Sequence, residues 1–170
     1  MSLHWETERL IMRPFEVQDA PLMIELNNDP DVVRYVDGDG YDTVEKVEQF
    51  IRDYGQYEEY KMGRLSMFLK ETGEYIGWSG LKYRPESDTV DVGYRLMKKH
   101  WGKGYATESA RASLDYGFNT LGLNKIIAMA MTENTASINV FKKLGMRYTH
   151  NSECDNHPAV VYEITKEEWK

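Results

Sequence analysis

A glycine-rich loop constrains this chain more than any other part of its sequence. The stretch 92–97 reads as a strand, the loop 98–105 has the sequence KKHWGKGY, and a helix is predicted from Ala106. Glycine tolerates backbone dihedrals and close approaches that other residues resist. The start of a helix offers unpaired N–H groups and a partial positive charge. The loop therefore predicts an anion site, typically for a phosphate or a pyrophosphate.

The glycine spacing alone does not identify the ligand. It lacks the Gly-x4-Gly-Lys-Ser/Thr pattern of a Walker loop, and it lacks the third glycine and the downstream acidic residue of a dinucleotide-binding fingerprint. An ordinary connection between a strand and a helix is the alternative interpretation. The side chains of Lys98, Lys99, His100 and Lys103 would surround a bound phosphate with positive charge.

Length, charge and cysteine content narrow the class of protein. The 170 residues fit one domain, residues 1–170, that is long enough to bury a core. A net charge of −7 argues against a general nucleic-acid binder, whose electrostatic footprint should be basic. No apolar run approaches the roughly 20 residues that span a membrane, and the N-terminus resembles no export signal. A single cysteine, Cys154, fits a cytoplasmic location.

The periodicity of apolar residues predicts an α/β (α+β) fold. The order β-α-α-β-β-β-α-β-α-β-β indicates a mixed, mostly antiparallel sheet with helices on both faces. The unit from Thr89 to Thr132 is the one obvious parallel crossover. Strands are predicted at 7–15, 65–70, 75–83, 89–97, 125–132, 147–153 and 159–165, and helices at 18–27, 43–60, 106–121 and 135–144.

Two other polar regions allow more than one interpretation. The segment 29–42 carries five aspartates against one arginine. It reads as a solvated turn or as an acidic rim that attracts an amine, whereas a calcium loop is disfavoured because Asp42 stands where that motif needs glycine. His150, Cys154 and His157 could bind a metal, but no fourth ligand stands at a recognised spacing. No metal site is therefore predicted.

Three stretches in order resemble one known family. Residues 93–96 followed by 101–108 resemble motif A of the GNAT acetyltransferases, and 134–146 resembles the Asn-x-x-Ser and Lys-Leu-Gly-Phe segment of the same family. The stretch 7–15 is similar to the opening of the branch that acetylates the N-termini of ribosomal proteins (RimJ/RimL type). The resemblance implies a single GNAT-like domain whose sheet is splayed between its fourth and fifth predicted strands, 89–97 and 125–132.

The resemblance also implies acetyl-CoA as the co-substrate. The pantetheine arm would lie in the gap between the splayed strands, and the loop 101–106 would cradle the pyrophosphate. Asn134 would contact the pantetheine from the other side of the gap. The cofactor-binding residues implied in this way are Leu96, Met97, Trp101, Gly102, Lys103, Gly104, Tyr105, Ala106, Asn134 and Phe141.

The sequence departs from the family pattern at three positions. Trp101 stands where many members have arginine or glutamine, and Lys98 where this branch often has proline. Phe141 stands where many members carry a tyrosine that protonates the leaving thiolate. Ser137, four residues earlier on the same predicted helix face, is the nearest candidate for a hydrogen bond to that thiolate. A serine that bonds its own backbone at a helix start is the alternative.

The implied reaction is direct attack of a neutral amine on the thioester carbon. An α-amino group, with a pKa of about 7.7–8.0, needs less help from a base than a lysine-like amine, with a pKa of about 10.4. Asp91 is the first candidate for a general base and Glu133 the second. Either carboxylate could instead be a surface or salt-bridged acid.

The sequence thus predicts an acetyl-CoA-dependent N-acetyltransferase that acts on a primary amine, such as a protein N-terminal α-amino group. The alternatives are acetylation of a small-molecule amine, for example a polyamine or an aminoglycoside, and a non-catalytic acyl-CoA-sensing module. No general nucleic-acid or membrane partner is expected, and a homodimer is left open.

Overall fold

The protein folds around one eight-stranded sheet. A computed structural model provides the structure and describes residues 3–36 and 42–169. The strands lie side by side in the order β1-β2-β3-β4-β5-β6-β8-β7, and all neighbouring pairs are antiparallel except β5 and β6. Their bounds are Trp5–Glu6 (β1), Leu10–Pro14 (β2), Arg64–Leu69 (β3), Tyr75–Arg84 (β4), Thr89–Leu96 (β5), Lys125–Met131 (β6), Arg147–Cys154 (β7) and His157–Thr165 (β8).

Five α-helices accompany the sheet in the described parts of the chain. They are Ala20–Asn28 (α1), Val44–Arg52 (α2), Gln56–Tyr60 (α3), Tyr105–Asp115 (α4) and Thr135–Lys143 (α5). Short 3-10 turns lie at Val17–Asp19 and Lys98–His100, and a π turn at Tyr116–Thr120 extends α4. Among the described residues, no helix is both long and apolar enough to cross a membrane.

The predicted fold class is confirmed, with two local differences. The helix predicted over 43–60 is two helices, because the chain turns at 53–55 and the Tyr54 hydroxyl accepts a hydrogen bond from the backbone N–H of Arg64 at 2.9 Å. The strand predicted over 7–15 begins only at Leu10, and it forms a hairpin with β1, in which Trp5 pairs with Met12. The turn between them is closed by a hydrogen bond from the N–H of Thr7 to the carbonyl of Leu10.

Apolar side chains pack on both faces of the sheet. On one face, α4 and α5 cover a core that includes Leu114, Phe118, Phe141 and Ile126, all at most 3% exposed. On the other face, α1 and α2 pack Met23, Val47 and Ile51 against Phe15 and Tyr75. The alternation of side chains along β4 and β5 supplies both layers.

The sheet opens at its centre, between β5 and β6. Asp91 opposite Ile127 is the one residue pair that these two parallel strands share in the described structure. Beyond it β5 stays with β4, and this pairing is close: a Cβ at Gly77 would collide with the carbonyl oxygen of Arg95. The predicted splay is therefore confirmed, and it leaves the carboxyl end of β5 facing a gap.

Candidate active site

A cavity of about 690 Å³ lies where β5 and β6 separate. Its volume is within the range of sites for small molecules and cofactors. Four parts of the chain contribute to its wall: the end of β5, the glycine-rich loop with the first turn of α4, one side of α5, and the segment that follows α1. These elements place most of the side chains predicted from the sequence around one space.

The glycine-rich loop has the backbone geometry expected of the anion site that its sequence predicts. Gly102 and Gly104 have φ angles of +74° and +86°, in the left-handed region that favours glycine. Gly104 precedes the first residue of α4, so the loop delivers the start of an 11-residue helix to the cavity. The unpaired N–H groups of that first turn, with the positive end of the helix dipole, suit a bound phosphate.

The turn between β1 and β2 fixes this loop. Arg9 donates from Nη1 to the carbonyl of Lys103 at 2.9 Å and from Nε to Oε1 of Glu108 at 2.7 Å. Thr7 donates from its hydroxyl to the other Glu108 oxygen at 2.6 Å. Partial burial raises the pKa of Glu108, but the hydrogen bonds from Thr7 and Arg9 outweigh it and lower that pKa overall. The anchor keeps Glu108 ionised and holds the start of α4 in place.

The basic side chains of the loop are less available than its sequence suggests. Lys98 forms an ion pair with Asp31 at 2.5 Å, and Lys99 forms one with Glu74. Lys103 is exposed and lies outside the cavity wall. His100 is 5% exposed, lines the cavity, and has a buried Nδ1 without a hydrogen-bond partner in the structure. Only part of the expected cationic shell therefore faces the site.

Asn134 and Ser137 face the cavity from α5. Asn134 is the N-cap of this helix, and its Oδ1 accepts a hydrogen bond from the N–H of Ser137 at 3.2 Å. The cap uses the amide oxygen and leaves the amide NH₂ group available as a donor. Glu133 is exposed and lies outside the cavity wall.

Two of the residues predicted to bind the cofactor are directed away from the cavity. Phe141 is 3% exposed and packs against Tyr162 in the core, with ring centroids 5.5 Å apart. It lies on the inner face of α5, where an apolar side chain is buried against the sheet. Met97 packs into the cluster beneath α1 and α2, because successive strand positions point to opposite faces. The structure brings neither side chain, nor that of Lys103, to the cavity wall, which includes Leu96, Trp101, Gly102, Gly104, Tyr105, Ala106 and Asn134.

Asp91, the first candidate for a general base, is placed in a buried ion-pair network. Its carboxylate contacts Arg64 Nη2 at 2.6 Å and also contacts Arg84 Nε. Burial raises the pKa of Asp91, but the two guanidinium groups outweigh burial and lower it overall. The side chain does not line the cavity. A carboxylate so stabilised in its charged form is a weak base, and the geometry favours a structural role for it.

Tyr94 is a cavity residue that the sequence interpretation did not single out. Its hydroxyl is buried and makes no hydrogen bond of acceptable geometry in the structure. Burial raises its pKa to about 12, and the nearby Ser137 hydroxyl lowers it in part. The signal for this residue was weak, because an aromatic residue in a strand is ordinarily explained by packing.

The arrangement of the loop, the helix start and the split sheet agrees with a family match that covers most of the chain. The family model described as "Acetyltransferase (GNAT) domain" matches residues 9–147. The chain belongs to the GNAT acetyltransferase family. It is therefore an acyltransferase that uses acetyl-CoA.

Relatives of this GNAT enzyme span nearly its full length. The uncharacterized protein YkkB of Bacillus subtilis is 40% identical over 165 residues, which is 92% of each chain. The uncharacterized N-acetyltransferase p20 of Bacillus licheniformis is 35% identical and covers 83% of this chain and 80% of its own. The crystal structure of a GNAT-family acetyltransferase from Bacillus anthracis superposes with a TM-score of 0.82 at 29% identity, over 98% of this chain and 100% of that one.

The GNAT site has features that suit acetyl-CoA. The helix start and two left-handed glycines fit a pyrophosphate, and the unpartnered Nδ1 of His100 offers a further polar contact. Lys143, in the last turn of α5, lines the cavity and adds a cation that the sequence interpretation missed. Trp101 donates from Nε1 to the carbonyl of Leu96 at 3.0 Å, so this departure from the family pattern occupies a backbone acceptor beside the expected pantetheine arm.

Asn134 allows the helix cap to be separated from ligand binding. We expect Asn134→Asp to retain the N-cap, because a carboxylate accepts the same N–H bond, and to lose the amide donor. Its KM for acetyl-CoA should rise several-fold while its melting temperature is maintained. Asn134→Ala should show both losses. Steady-state kinetics and thermal denaturation of the two variants test this expectation, and an unchanged KM in Asn134→Asp would remove the amide from the binding site.

Proposed function

We propose that this enzyme acetylates a primary α-amine, with a protein or peptide N-terminus as the preferred acceptor. The observation that carries the proposal is the charge on the acceptor side of the cavity. Among the described residues, the one carboxylate in the cavity wall is that of Asp31, and Lys98 already neutralises it. Arg34 and Arg95 line the same wall.

This charge distribution favours an acceptor that carries few positive charges. Arg95 is held in place, since it donates to Asn27 Oδ1 at 2.6 Å and lies over the Trp78 ring at 5.2 Å. A polyamine would bring several ammonium groups close to these guanidinium groups. The acidic rim predicted over 29–42 is reduced to the Asp31 pair in this wall, while Asp37 and Asp39 lie outside the described residues.

The chemistry of the amine supports the same choice. In the described part of the cavity, no unpaired carboxylate is available to remove a proton from the acceptor. An α-amino group, with a pKa of about 7.7–8.0, is partly neutral at pH 7, whereas a lysine-like amine is almost entirely protonated. Positioning of the two substrates would then supply most of the rate enhancement.

Polyamine acetylation is the second candidate. The spermidine N(1)-acetyltransferase of Escherichia coli is 24% identical to this chain over 136 residues, which are 79% of this chain and 70% of that one. Structures of similar fold include the ribosomal-protein-S5-alanine acetyltransferase from Vibrio fischeri, at a TM-score of 0.83 and 18% identity. They also include a spermidine N-acetyltransferase from Vibrio cholerae, solved with CoA and spermine, at 0.78 and 19%. At these identities the two structures support the fold alone.

An acceptor panel tests the proposal through CoA thiol release. Two short peptides with a free N-terminal alanine, one followed by glutamates and one by lysines, would be compared with spermidine and with an N-terminally blocked peptide that carries a lysine. We expect kcat/KM at pH 7.5 to be highest for the glutamate peptide, since Arg34 and Arg95 repel added lysines, and at least tenfold lower for spermidine. A preference for spermidine would contradict the proposal, and acetyl-CoA binding without turnover of any amine would indicate a sensing module.

A further inference from the structure

A buried hydroxyl without a partner faces the cavity of this enzyme. Tyr94 lies on β5, and its hydroxyl oxygen is shielded from solvent yet makes no hydrogen bond of acceptable geometry in the structure. A buried donor left unsatisfied is unfavourable, so a hydroxyl that also faces a cavity gains from a bound partner. Because the side chain lines the cavity, a ligand is the natural partner for this hydroxyl.

The position of Tyr94 in the strand indicates which part of the ligand it meets. It lies on the same face of β5 as Leu96, two residues further from the glycine-rich loop. The loop and the start of α4 line one end of the cavity, where the phosphates of CoA are expected. A ligand held there and extended along β5 passes Leu96 first and brings its other end to Tyr94. Ser137 of α5 stands beside the Tyr94 hydroxyl.

We propose that the Tyr94 hydroxyl donates a hydrogen bond to the sulfur of the acetyl thioester and stabilises the CoA thiolate as it leaves. The inference rests on the proposed acetyl transfer and adds the group that assists the leaving sulfur. Ser137, whose hydroxyl stands beside the phenol, acts as the positioning residue: by donating to the phenol oxygen it would direct the Tyr94 O–H toward the sulfur. This assignment places the hydroxyl function on β5, since Phe141 of α5 has no hydroxyl and is buried in the core.

With Tyr94 as a hydrogen-bond donor, every bond and proton in the reaction is accounted for. The nitrogen–carbon bond forms, the carbon–sulfur bond breaks, and its electron pair goes to sulfur. The amine gives its proton to water, and the thiolate takes a proton from water as CoA dissociates. Tyr94 keeps its own proton, because its pKa of about 12 lies far above that of a thiol, about 8.5. It is therefore a constant donor over the working pH range.

Tyr94→Phe tests the assignment, because the ring is retained and the hydroxyl alone is removed. We expect kcat to fall by about 100-fold, the lower end of the loss for one donor to a developing anion, with KM for acetyl-CoA nearly unchanged. Tyr75→Phe is a matched control: the Tyr75 hydroxyl is also buried and unpartnered, but it lies on the opposite face and outside the cavity wall. This control should leave kcat unchanged.

A binding measurement separates this inference from the acceptor proposal. The pKa of the thiol of bound CoA can be followed through the ultraviolet absorbance of the thiolate, with no acceptor present. In the wild-type protein it should lie below that of free CoA, and Tyr94→Phe should raise it by about one unit, a tenfold change in the ionisation constant. Equal values in the two proteins would overturn the role of Tyr94 whatever amine the enzyme uses.

A Ser137→Ala variant distinguishes Tyr94 from Ser137 as the donor to the sulfur. Ser137→Ala should lower kcat less than Tyr94→Phe does, because an oriented phenol is lost only in the tyrosine variant. A larger loss in Ser137→Ala, with an unchanged thiol pKa in Tyr94→Phe, would identify the serine as the donor and overturn the proposal.

Discussion

Asp91→Asn is expected to lower the free energy of unfolding by about 3 kcal/mol, because it leaves two guanidinium groups without their anion. The Asp91 side chain is 9% exposed and that of Arg64 is 12% exposed, so water cannot replace the carboxylate at Arg64. Arg84 is 35% exposed and is partly solvated. The expected loss of unfolding free energy is therefore at the lower end of the range for breaking a buried ion pair. Urea denaturation at pH 7 measures the difference.

The pH dependence of this difference has a definite sign. The pKa of Asp91 is lower in the folded protein than in the unfolded chain, so its stabilisation is present above the unfolded value of about 3.9 and is lost as the pH falls through the folded value. The gap between wild type and Asp91→Asn should thus be constant from pH 8 to about pH 5 and narrow in more acidic solution. Asp53→Asn, at an exposed position in the cap of α2, should show little change at any pH.

Activity distinguishes this structural role from general-base catalysis. At a temperature where Asp91→Asn is fully folded, its kcat/KM should match that of the wild type from pH 6 to pH 9. A large fall in kcat/KM in a folded variant, steepest at low pH, would restore Asp91 as the base.

Gly104→Val is expected to raise the KM for acetyl-CoA at least tenfold, which corresponds to about 1.4 kcal/mol of lost binding. Gly104 has φ +86°, a conformation that costs a β-branched residue about 1–3 kcal/mol. A Cβ there would also lie 3.2 Å from Arg9 Nη2, part of the anchor of the loop. Relief of the backbone strain and of this close contact should move the start of α4, where the phosphate of acetyl-CoA is expected to bind.

Gly122→Val is the matched control for this substitution. Gly122 has φ +71°, follows the π turn at the far end of the same helix, and has no atom within 4 Å of an added Cβ. Both variants should lose stability to backbone strain, but only Gly104→Val should lose acetyl-CoA affinity. Isothermal titration with CoA measures the affinity directly, and equal affinities in the two variants would argue against the loop as the phosphate site.

The sequence predicted the donor half of the site better than the acceptor half. Gly102, Gly104 and Asn134 depend on backbone geometry and helix ends, which are set by local sequence, and all three line the cavity. Asp91 was interpreted from its place near the start of a strand. Its partners Arg64 and Arg84 are 27 and 7 residues away, and no local pattern shows that they meet its carboxylate.

Long-range contacts also explain what the sequence interpretation missed. The bonds from Thr7 and Arg9 to Glu108 cross about 100 residues of chain. Lys98 and Lys99 are engaged by Asp31 and Glu74, which lie in loops distant in sequence. Tyr94 could be recognised only in the structure, where its hydroxyl lacks a partner. In the sequence, an aromatic residue in a predicted strand is equally well explained by packing.

The single residue pair between β5 and β6 divides the sheet into two parts that are joined at one point. Strands β1 to β5 and strands β6 to β8 are each hydrogen-bonded ribbons, and Asp91 opposite Ile127 is the one place where their ladders meet in the described structure. Asp91 is thus both the anion of the buried network and the residue at the hinge of the two ribbons. An extended ligand with amide groups could hydrogen-bond to the separated edges of β5 and β6. The sheet would then be most nearly continuous when acetyl-CoA is bound.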